Sequence, residues 1–246
     1  MRITAKTDIG NGRAENQDNY RALQYPGDLT WAVVCDGMGG AKSGQTASRI
    51  GVELLRDAAE KQLETLPEKQ EKEFLLASIQ GANRKIYERS LADSAMSGMG
   101  TTVVQAVVHG GVAHFAHMGD SRAYLFHHDQ LQQITRDHSY VQEMVDSGKL
   151  SAEEAERHPK KNLITRAMGV SAAALAEYTA CPVKAGDILL ICTDGLSNTL
   201  PLQTMQDILR KTQFFDMADR LVEQALQEGA QDNITALLIG IEPTEA

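Results

Sequence analysis

The stretch that decides the fold reads Leu29-Thr30-Trp31-Ala32-Val33-Val34-Cys35-Asp36-Gly37-Met38-Gly39-Gly40. It begins with a short, nearly continuous apolar run, which predicts a buried β-strand. The glycines that follow favour a turn, because glycine adopts backbone conformations that are closed to other residues. We therefore expect Asp36 at the end of a buried strand.

Two more aspartates stand beside apolar strands later in the chain. Ile188–Thr193 is a predicted strand that ends in Asp194-Gly195, and Asp232-Asn233 leads into a last strand over Ile234–Ile241. One such aspartate is usually only a turn former or a helix cap. If the three strands lie side by side, however, the carboxylates converge and raise each other's pKa values, which destabilises the fold unless a cation intervenes.

Divalent metal is the simplest resolution of this repulsion. Oxygen ligands without a His or Cys cluster select Mg²⁺ or Mn²⁺ over zinc or copper. A pair of such ions can hold a bridging hydroxide and stabilise an in-line displacement at phosphorus. The carbonyl of Gly37 could be a further ligand, since no side chain blocks its approach.

Two other segments carry candidate site residues. Arg13 lies five residues before Asp18, just after a strand predicted over residues 1–8. Its planar guanidinium matches phosphate oxygens, and Asp18 could support a metal-bound water, although an exposed arginine is more often a solvated charge. Asp120, in Gly119-Asp120-Ser121-Arg122, is either part of an ordinary hairpin turn or a ligand for an outer metal.

The remaining pattern alternates blocks of helix with blocks of strand. Helices are predicted from Ser43, as N-cap, and from about Glu68 to Leu91, with later ones at 202–210 and 217–228. Strands are predicted over 101–108, 112–118, 122–126 and 131–134 as an antiparallel meander, and again over 175–179. This order favours an α+β fold with antiparallel sheets in one domain, residues 1–246, over a parallel doubly wound sheet.

Residues 137–168 differ from the rest of the chain. They are polar and helix-prone, and we expect them to form a surface lid inserted between strands. His138 and His158 lie in this segment and could touch a substrate. His114 and His117, which alternate with apolar residues on a predicted strand, lack a third partner for a zinc site.

Bulk properties exclude several classes of partner. The net charge of −9 argues against sequence-independent nucleic-acid binding, which requires clustered Lys and Arg. No stretch approaches the roughly 18 apolar residues that span a bilayer, and no signal peptide is recognisable. The three cysteines, Cys35, Cys181 and Cys192, are expected to be reduced thiols in a cytoplasmic monomer.

In their order, these motifs resemble the metal-dependent protein phosphatases, also called PP2C-like or PPM phosphatases, in their bacterial form. The resemblance spans nearly the whole chain. The residues that carry it are Arg13 with Asn16-Gln17-Asp18, Asp36-Gly37-Met38-Gly39-Gly40, Gly100-Thr101-Thr102, Gly119-Asp120-Ser121-Arg122, Asp137-His138-Ser139, Ile164-Thr165-Arg166-Ala167, Thr193-Asp194-Gly195-Leu196 and Asp232-Asn233-Ile234-Thr235.

The resemblance implies a four-layer αββα sandwich, in which helices flank two central antiparallel sheets and residues 137–168 form a mobile flap. It implies hydrolysis of phosphoserine and phosphothreonine in proteins by a metal-bridging water, in opposition to a Ser/Thr protein kinase. It also implies roles for site residues. Asp36 would bridge two Mn²⁺ or Mg²⁺ ions, the Gly37 carbonyl would be a further ligand, and Asp194 and Asp232 would complete the first metal site. Asp18 would hold a water at the second site, Asp120 would help to bind a third, weaker ion, and Arg13 would bind the phosphate.

The chain departs from the eukaryotic members of this family at three positions. Gln17 replaces a glutamate ligand, and Met38 replaces a histidine that is a candidate general acid. Asn198 stands where some relatives have another acidic ligand. Two alternatives therefore remain: a catalytically weak regulatory relative, which the intact aspartates oppose, and another two-metal phosphoesterase such as a nuclease, which the acidic charge opposes.

Overall fold

Two antiparallel β-sheets lie at the centre of the computed structural model, which describes residues 1–39, 43–67 and 69–243. The strands of the first sheet are β1 Arg2–Asp8, β7 Arg122–His127, β8 Gln130–Gln133, β10 Ile188–Cys192 and β11 Ile234–Gly240. The strands of the second are β2 Asp18–Gln24, β3 Thr30–Met38, β4 Gly100–Thr101, β5 Val103–His109, β6 Val112–Met118 and β9 Glu177–Pro182. Their spatial orders are β1-β11-β10-β7-β8 and β2-β3-β5-β6-β9, with β4 paired to β3.

Helices cover the outer face of each sheet. Against the second sheet pack α1 Ser43–Gln62 and α2 Glu71–Ala92. Three short helices follow, α3 Tyr140–Asp146, α4 Ala152–Glu156 and α5 Asp194–Ser197. Against the first sheet pack α6 Leu202–Lys211 and α7 Met217–Gln227. The expected α+β sandwich of four layers is confirmed.

Strand β3 shows why its sequence is apolar at consecutive positions. Trp31, Val33 and Cys35 pack into the core under α1 and α2. Ala32 and Val34 point the other way, into the core between the two sheets. Side chains alternate between the faces of a strand, so a strand with a buried layer on each side must be apolar throughout.

The predicted meander is wrong at one point. Strands β5 and β6 pair in the second sheet and β7 and β8 in the first, so the chain changes sheets at Gly119-Asp120-Ser121. Gly119 has a φ of +104°, a conformation that favours glycine. Asp120 therefore lies in a crossover between sheets and not in a hairpin turn.

Strand β2 was not predicted, and two predicted boundaries fall on residues outside the described ranges. Gly40 was the expected end of the glycine-rich turn, and Glu68 was the expected start of the second helix. Within the described ranges, no helix has the length and apolarity needed to cross a membrane.

Candidate metal centre

Asp18 and Asp36 are brought together by strand pairing. In the antiparallel β2–β3 ladder, Asp18 is the direct partner of Asp36. Residues directly opposite each other in such a ladder project to the same face of the sheet. Asp18 is buried, and its Oδ2 accepts hydrogen bonds from Thr193 Oγ1 at 2.8 Å and Thr235 Oγ1 at 2.7 Å. Because Thr193 directly follows β10 and Thr235 is the second residue of β11, these hydrogen bonds connect the second sheet to the first.

Asp194 and Asp232 come from neighbouring strands of the first sheet. Asp194 follows β10 as the first residue of α5, and Asp232 precedes β11. Since β10 and β11 are antiparallel, both residues lie at the same edge of the sheet. A Cβ atom on Gly195 would lie 2.0 Å from the Asn233 carbonyl oxygen, so the close approach of the two segments requires glycine.

Hydroxyl groups connect this edge to the crossover that carries Asp120. The Asp36 N–H donates to Thr102 Oγ1 at 3.0 Å, and Thr102 Oγ1 lies 2.7 Å from Ser121 Oγ. Thr101 Oγ1 donates to the Asp36 carbonyl at 2.8 Å. These hydrogen bonds hold the backbone of Asp36 and connect it, through Thr102, to Ser121, which is next to Asp120.

Five aspartates form what we call the carboxylate cluster: Asp18, Asp36, Asp120, Asp194 and Asp232. The charges of the other four all raise the pKa of Asp36, after burial, so the five interact as one group. Of the three strands considered in the sequence, β10 and β11 lie side by side in the first sheet and β3 lies in the second, yet the carboxylates converge.

Burial is the largest cause of the raised pKa values in the carboxylate cluster. It raises the pKa of Asp18 to about 7, with the charges of Asp194 and Asp232 adding to the effect. Burial and the charge of Asp194 raise the pKa of Asp120 to about 8. The pKa of Asp194 rises to about 6 through burial and the charge of Asp232. The predicted mutual repulsion is confirmed.

The donor set of the carboxylate cluster fits a hard divalent cation. Asp18 Oδ1 and Asp194 Oδ1 are buried and have no hydrogen-bond partner among the described residues. A buried carboxylate oxygen that accepts no hydrogen bond is stabilised by a positive charge beside it. Oxygen ligands alone suit Mg²⁺ or Mn²⁺.

Gly37 has a packing role in addition to any role as a ligand. A Cβ atom there would lie 2.2 Å from the Gly44 carbonyl oxygen and 2.9 Å from that of Gln17. Glycine at this position allows the start of α1 to pack directly on the end of β3.

Arg13 lies at the exposed side of the cluster. Its Nη2 is 2.7 Å from Asp232 Oδ2, and its side chain is 55% exposed. The hydrogen bond with Asp232 raises the pKa of Arg13. The guanidinium is therefore positioned beside the cluster and remains open to solvent.

The three departures from the family pattern have distinct surroundings. A Cβ atom on Gly44 would lie 2.3 Å from Gln17 Oε1, which places the Gln17 side chain against the start of α1. Asn198 Nδ2 donates to Asp194 Oδ2 at 3.0 Å and so supports a member of the cluster. Met38 ends β3 and pairs with Gly100.

The sequence reasoning missed the residues that hold the cluster in place. Thr193 and Thr235 appear in the quoted motifs, but their hydroxyls were assigned no role. Asn233 Oδ1 accepts from the Gln17 N–H at 2.8 Å, and its Nδ2 donates to the carbonyls of Ile9 and Glu15 at 2.8 and 3.0 Å. The adjacency of these polar residues to each aspartate was the available signal.

A second polar cluster lies away from the carboxylates. His117 is buried on β6 opposite Glu177 of β9, and its ring stacks on His138 with centroids 4.7 Å apart. One ligand atom from each of the three residues lies within 4.8 Å of the others. His117 thus has two neighbours, His138 and Glu177, that the sequence pattern did not indicate, and His114 is not among them.

The hydrogen bonds of this stack disfavour a cation in it. The Gly119 N–H donates to His138 Nδ1 at 3.2 Å, which places the ring proton of neutral His138 on Nε2. Arg166 Nη1 is 3.3 Å from the same Nε2 and adds a positive charge. His138 is only 5% exposed, so its side chain contacts β6 and β9 and is not presented to a substrate.

Two open cavities meet at the carboxylate cluster. One, of about 730 Å³, is lined by Asp120 and Asp194 and extends toward α3 and α4. The other, of about 670 Å³, is lined by Arg13, Asp194 and Asp232. A molecule with a phosphate at Asp194 can therefore extend in two directions.

Comparisons with known proteins agree with this geometry. The family model for protein phosphatase 2C matches residues 9–239. The serine/threonine phosphatase Stp of Listeria welshimeri is 36% identical over 240 residues, which cover 97% of this chain and 95% of that protein.

Solved structures that are similar to this chain are also serine/threonine phosphatases. The serine/threonine phosphatase of S. agalactiae superposes with a TM-score of 0.90 at 32% identity, covering 98% of this chain and 99% of that one. The catalytic domain of the serine/threonine protein phosphatase PstP, solved in complex with two manganese ions, superposes with a TM-score of 0.84 at 31% identity, covering 98% of each chain.

Proposed function

Because the chain belongs to the protein phosphatase 2C family and is a metal-dependent serine/threonine protein phosphatase, we propose that the carboxylate cluster is its active site. One observation supports this most directly. Five aspartates from separated parts of the chain are held at one edge of the sandwich, and two of their buried oxygens have no hydrogen-bond partner among the described residues. Such an arrangement is stabilised by cations beside it, and without them some of the carboxyl groups take up protons near neutral pH.

We propose that Asp36, Asp194 and Asp232 hold the principal pair of ions, with the Gly37 carbonyl as a further ligand. Asp18 supports the second ion, and Asp120 contributes to a third, weaker site. The ions are Mn²⁺ or Mg²⁺; when bound, they supply the positive charge that activates water and stabilises the phosphate in its transition state.

The chain's own residues orient the substrate. Arg13 exchanges its contact with Asp232 for the phosphate oxygens, which its planar fork fits. Met38 has no proton to donate, so the leaving alkoxide would take its proton either from a metal-bound water or from another residue. Asn198 and the two threonines, Thr193 and Thr235, hold the orientation of the carboxylates throughout.

Residues 137–168, which we call the flap segment, form the mobile wall of the active site in this proposal. They carry α3 and α4 and line the larger cavity together with Asp194. The substrates are phosphorylated proteins. A partner Ser/Thr kinase, a single domain, a monomeric state and a cytoplasmic location stay predictions.

The test is hydrolysis of a phosphothreonine peptide and of p-nitrophenyl phosphate with Mn²⁺, with and without a chelator. Asp194→Asn should lower kcat by about 10³-fold, or about 4 kcal/mol, because it removes one ligand charge while the side chain keeps its size. The matched control is Asp216→Asn at an exposed position, which should keep the wild-type rate. Turnover that survives chelation would refute the metal mechanism.

The same assay separates the two alternatives. A catalytically weak regulatory relative would bind Mn²⁺ without turning over either substrate. A different phosphoesterase would prefer a phosphodiester such as bis(p-nitrophenyl) phosphate over the phosphopeptide.

A further inference from the structure

The larger cavity extends well beyond the catalytic carboxylates. Its volume of about 730 Å³ is in the range of sites that enclose most of a bound ligand. Asp120 and Asp194 line one part of it, and the flap segment and the α5–α6 connection line the rest. A phosphate alone would leave most of this space empty.

The part of the cavity away from the aspartates has apolar walls on two sides. The flap helices contribute one side and the segment entering α6 the other, through Val141, Val145, Ala152, Ala155, Leu200 and Leu202. Leu202 is 46% exposed, although it is a large apolar side chain. Contact with an apolar group would remove this surface from water.

Two of the charges that line the cavity compensate each other. Arg122 Nε donates to Asp137 Oδ1 at 2.9 Å and Nη2 to Oδ2 at 2.6 Å. A paired guanidinium and carboxylate of this kind has little capacity to bind another charged group. Glu156, Arg157 and Lys161 of the flap segment also line the cavity, so the surface suited to an uncharged side chain is the set of apolar residues named above.

We propose that this cavity binds an apolar side chain of the phosphoprotein, such as leucine, isoleucine or methionine, near the phosphorylated residue. The proposal rests on the proposed function, because the cavity is continuous with Asp194 and its occupant must be joined to the phosphate bound there. A cavity of this volume measures about 9 Å across if its length, width and depth are equal. This distance corresponds to about three residues of extended chain. The apolar residue therefore lies within about four residues of the phosphate.

The experiment uses a set of phosphothreonine peptides in a serine and glycine background. Each peptide carries one leucine, moved from four residues before the phosphothreonine to four residues after it, and is compared with the parent peptide without leucine. With Mn²⁺, leucine at one or two adjacent positions should raise kcat/KM about tenfold, because partial burial of one aliphatic side chain has an effect of this size.

Two variants test the location of the subsite. Leu202→Asp places a charge in the wall but should fold, since an acidic residue is favourable in the first turn of α6. Ala152→Trp fills the cavity from an exposed position on α4. In each variant the leucine preference should fall to less than twofold. The control, Phe215→Asp, changes an apolar side chain that is 62% exposed and does not line the cavity, and should retain the preference.

A flat profile across the wild-type peptides would overturn the proposal, as would a leucine preference that persists in both folded cavity variants. Hydrolysis of p-nitrophenyl phosphate by the wild type is measured in parallel. If the enzyme turns over this compound but shows no leucine preference, the subsite is refuted and the phosphatase assignment stands. If neither substrate is hydrolysed with Mn²⁺, the proposed function itself fails.

Discussion

At the scale of single residues, the geometry of the carboxylate cluster depends on small and polar neighbours as much as on the aspartates. Two threonine hydroxyls bind one oxygen of Asp18, while its other oxygen has no partner among the described residues. The carboxylate is thus fixed in orientation and still has an oxygen available for a cation. Gly195 allows the segments that carry Asp194 and Asp232 to touch.

We expect Gly195→Ala to destabilise the fold by about 3 kcal/mol and to abolish turnover, because the new Cβ atom would overlap the Asn233 carbonyl. Urea unfolding measures the effect. The matched control is Gly81→Ala on α2, where a Cβ atom meets nothing within 4 Å. This change should stabilise the protein by about 0.5–1 kcal/mol, since alanine is the better helix former. Equal effects of the two variants would contradict the steric argument.

Arg13→Ala should lower kcat/KM for p-nitrophenyl phosphate about 10- to 100-fold with little change in stability, since the side chain is half exposed and its main contact is the one to Asp232. Arg13→Lys should restore only part of the loss, because a lysine cannot bind two phosphate oxygens in a plane. Arg49→Ala, on the exposed face of α1, serves as the control. Full activity of Arg13→Ala would exclude a role for Arg13 in binding the phosphate.

At the scale of elements, the crossover between β6 and β7 joins the flap segment to the active site. The His138 N–H donates to the Gly119 carbonyl at 2.9 Å, and the Gly119 N–H donates back to the His138 ring at 3.2 Å. Gly119 immediately precedes Asp120. The backbone at the start of the flap segment is therefore hydrogen-bonded to the residue next to Asp120, so a displacement of one would affect the other.

This junction predicts a dependence of stability on pH. Burial lowers the pKa of His138 to about 4, with His117 and Arg166 also opposing its protonation and Glu177 favouring it. In the unfolded chain a histidine has a pKa of about 6.5. The unfolded state therefore takes up a proton at this histidine first, and the contribution of His138 to stability falls as the pH drops from about 6.5 toward 4, by roughly 3 kcal/mol at most. The carboxylate cluster contributes in the opposite direction over this range, because the pKa values of Asp18, Asp120 and Asp194 are raised in the folded state.

His138→Asn should remove the His138 contribution from the profile and so change its slope, because asparagine does not titrate and its oxygen can still accept from the Gly119 N–H. Urea midpoints between pH 4.5 and 7.5 measure the effect. His128→Asn, at an exposed position with a φ of +47° that asparagine tolerates, should keep the wild-type slope. A wild-type slope in His138→Asn would contradict the assignment to this histidine.

At the scale of the whole molecule, the carboxylate cluster lies where two separate sheets meet. Asp18 and Asp36 belong to the second sheet, and Asp194 and Asp232 adjoin strands of the first. A cation bound between them therefore holds the layers of the sandwich together. Metal binding and global stability should be coupled for this reason.

Mn²⁺ at about 100 times its dissociation constant should stabilise the fold by about 2.7 kcal/mol for one site. For a protein of this size, the melting temperature should rise by about 5–10 °C. The Asp194→Asn variant should show a much smaller rise. An unchanged wild-type melting temperature at millimolar Mn²⁺, compared with the chelated protein, would count against a cation in the carboxylate cluster.

Most of the fold and of the candidate site could be predicted from the sequence, for reasons that differ between elements. Strand β3 is recognisable because both of its faces are buried, and the aspartates because each adjoins a strong strand signal. Strand β2 was missed because Asp18–Gln24 has mixed polarity in a strand at the sheet edge. The change of sheet at Asp120 and the His117–His138 stack depend on contacts between distant segments, which local patterns do not encode.

Strand β1 pairs along its whole length with β11, from Arg2 opposite Gly240 to Asp8 opposite Ile234. During synthesis on a ribosome, β1 must therefore remain unpaired until β11 has been made. Asp18 and Asp232 are separated in a similar way along the chain. A nascent chain that ends before Asp232 lacks a member of the carboxylate cluster, and under the proposed function we expect it to have no phosphatase activity.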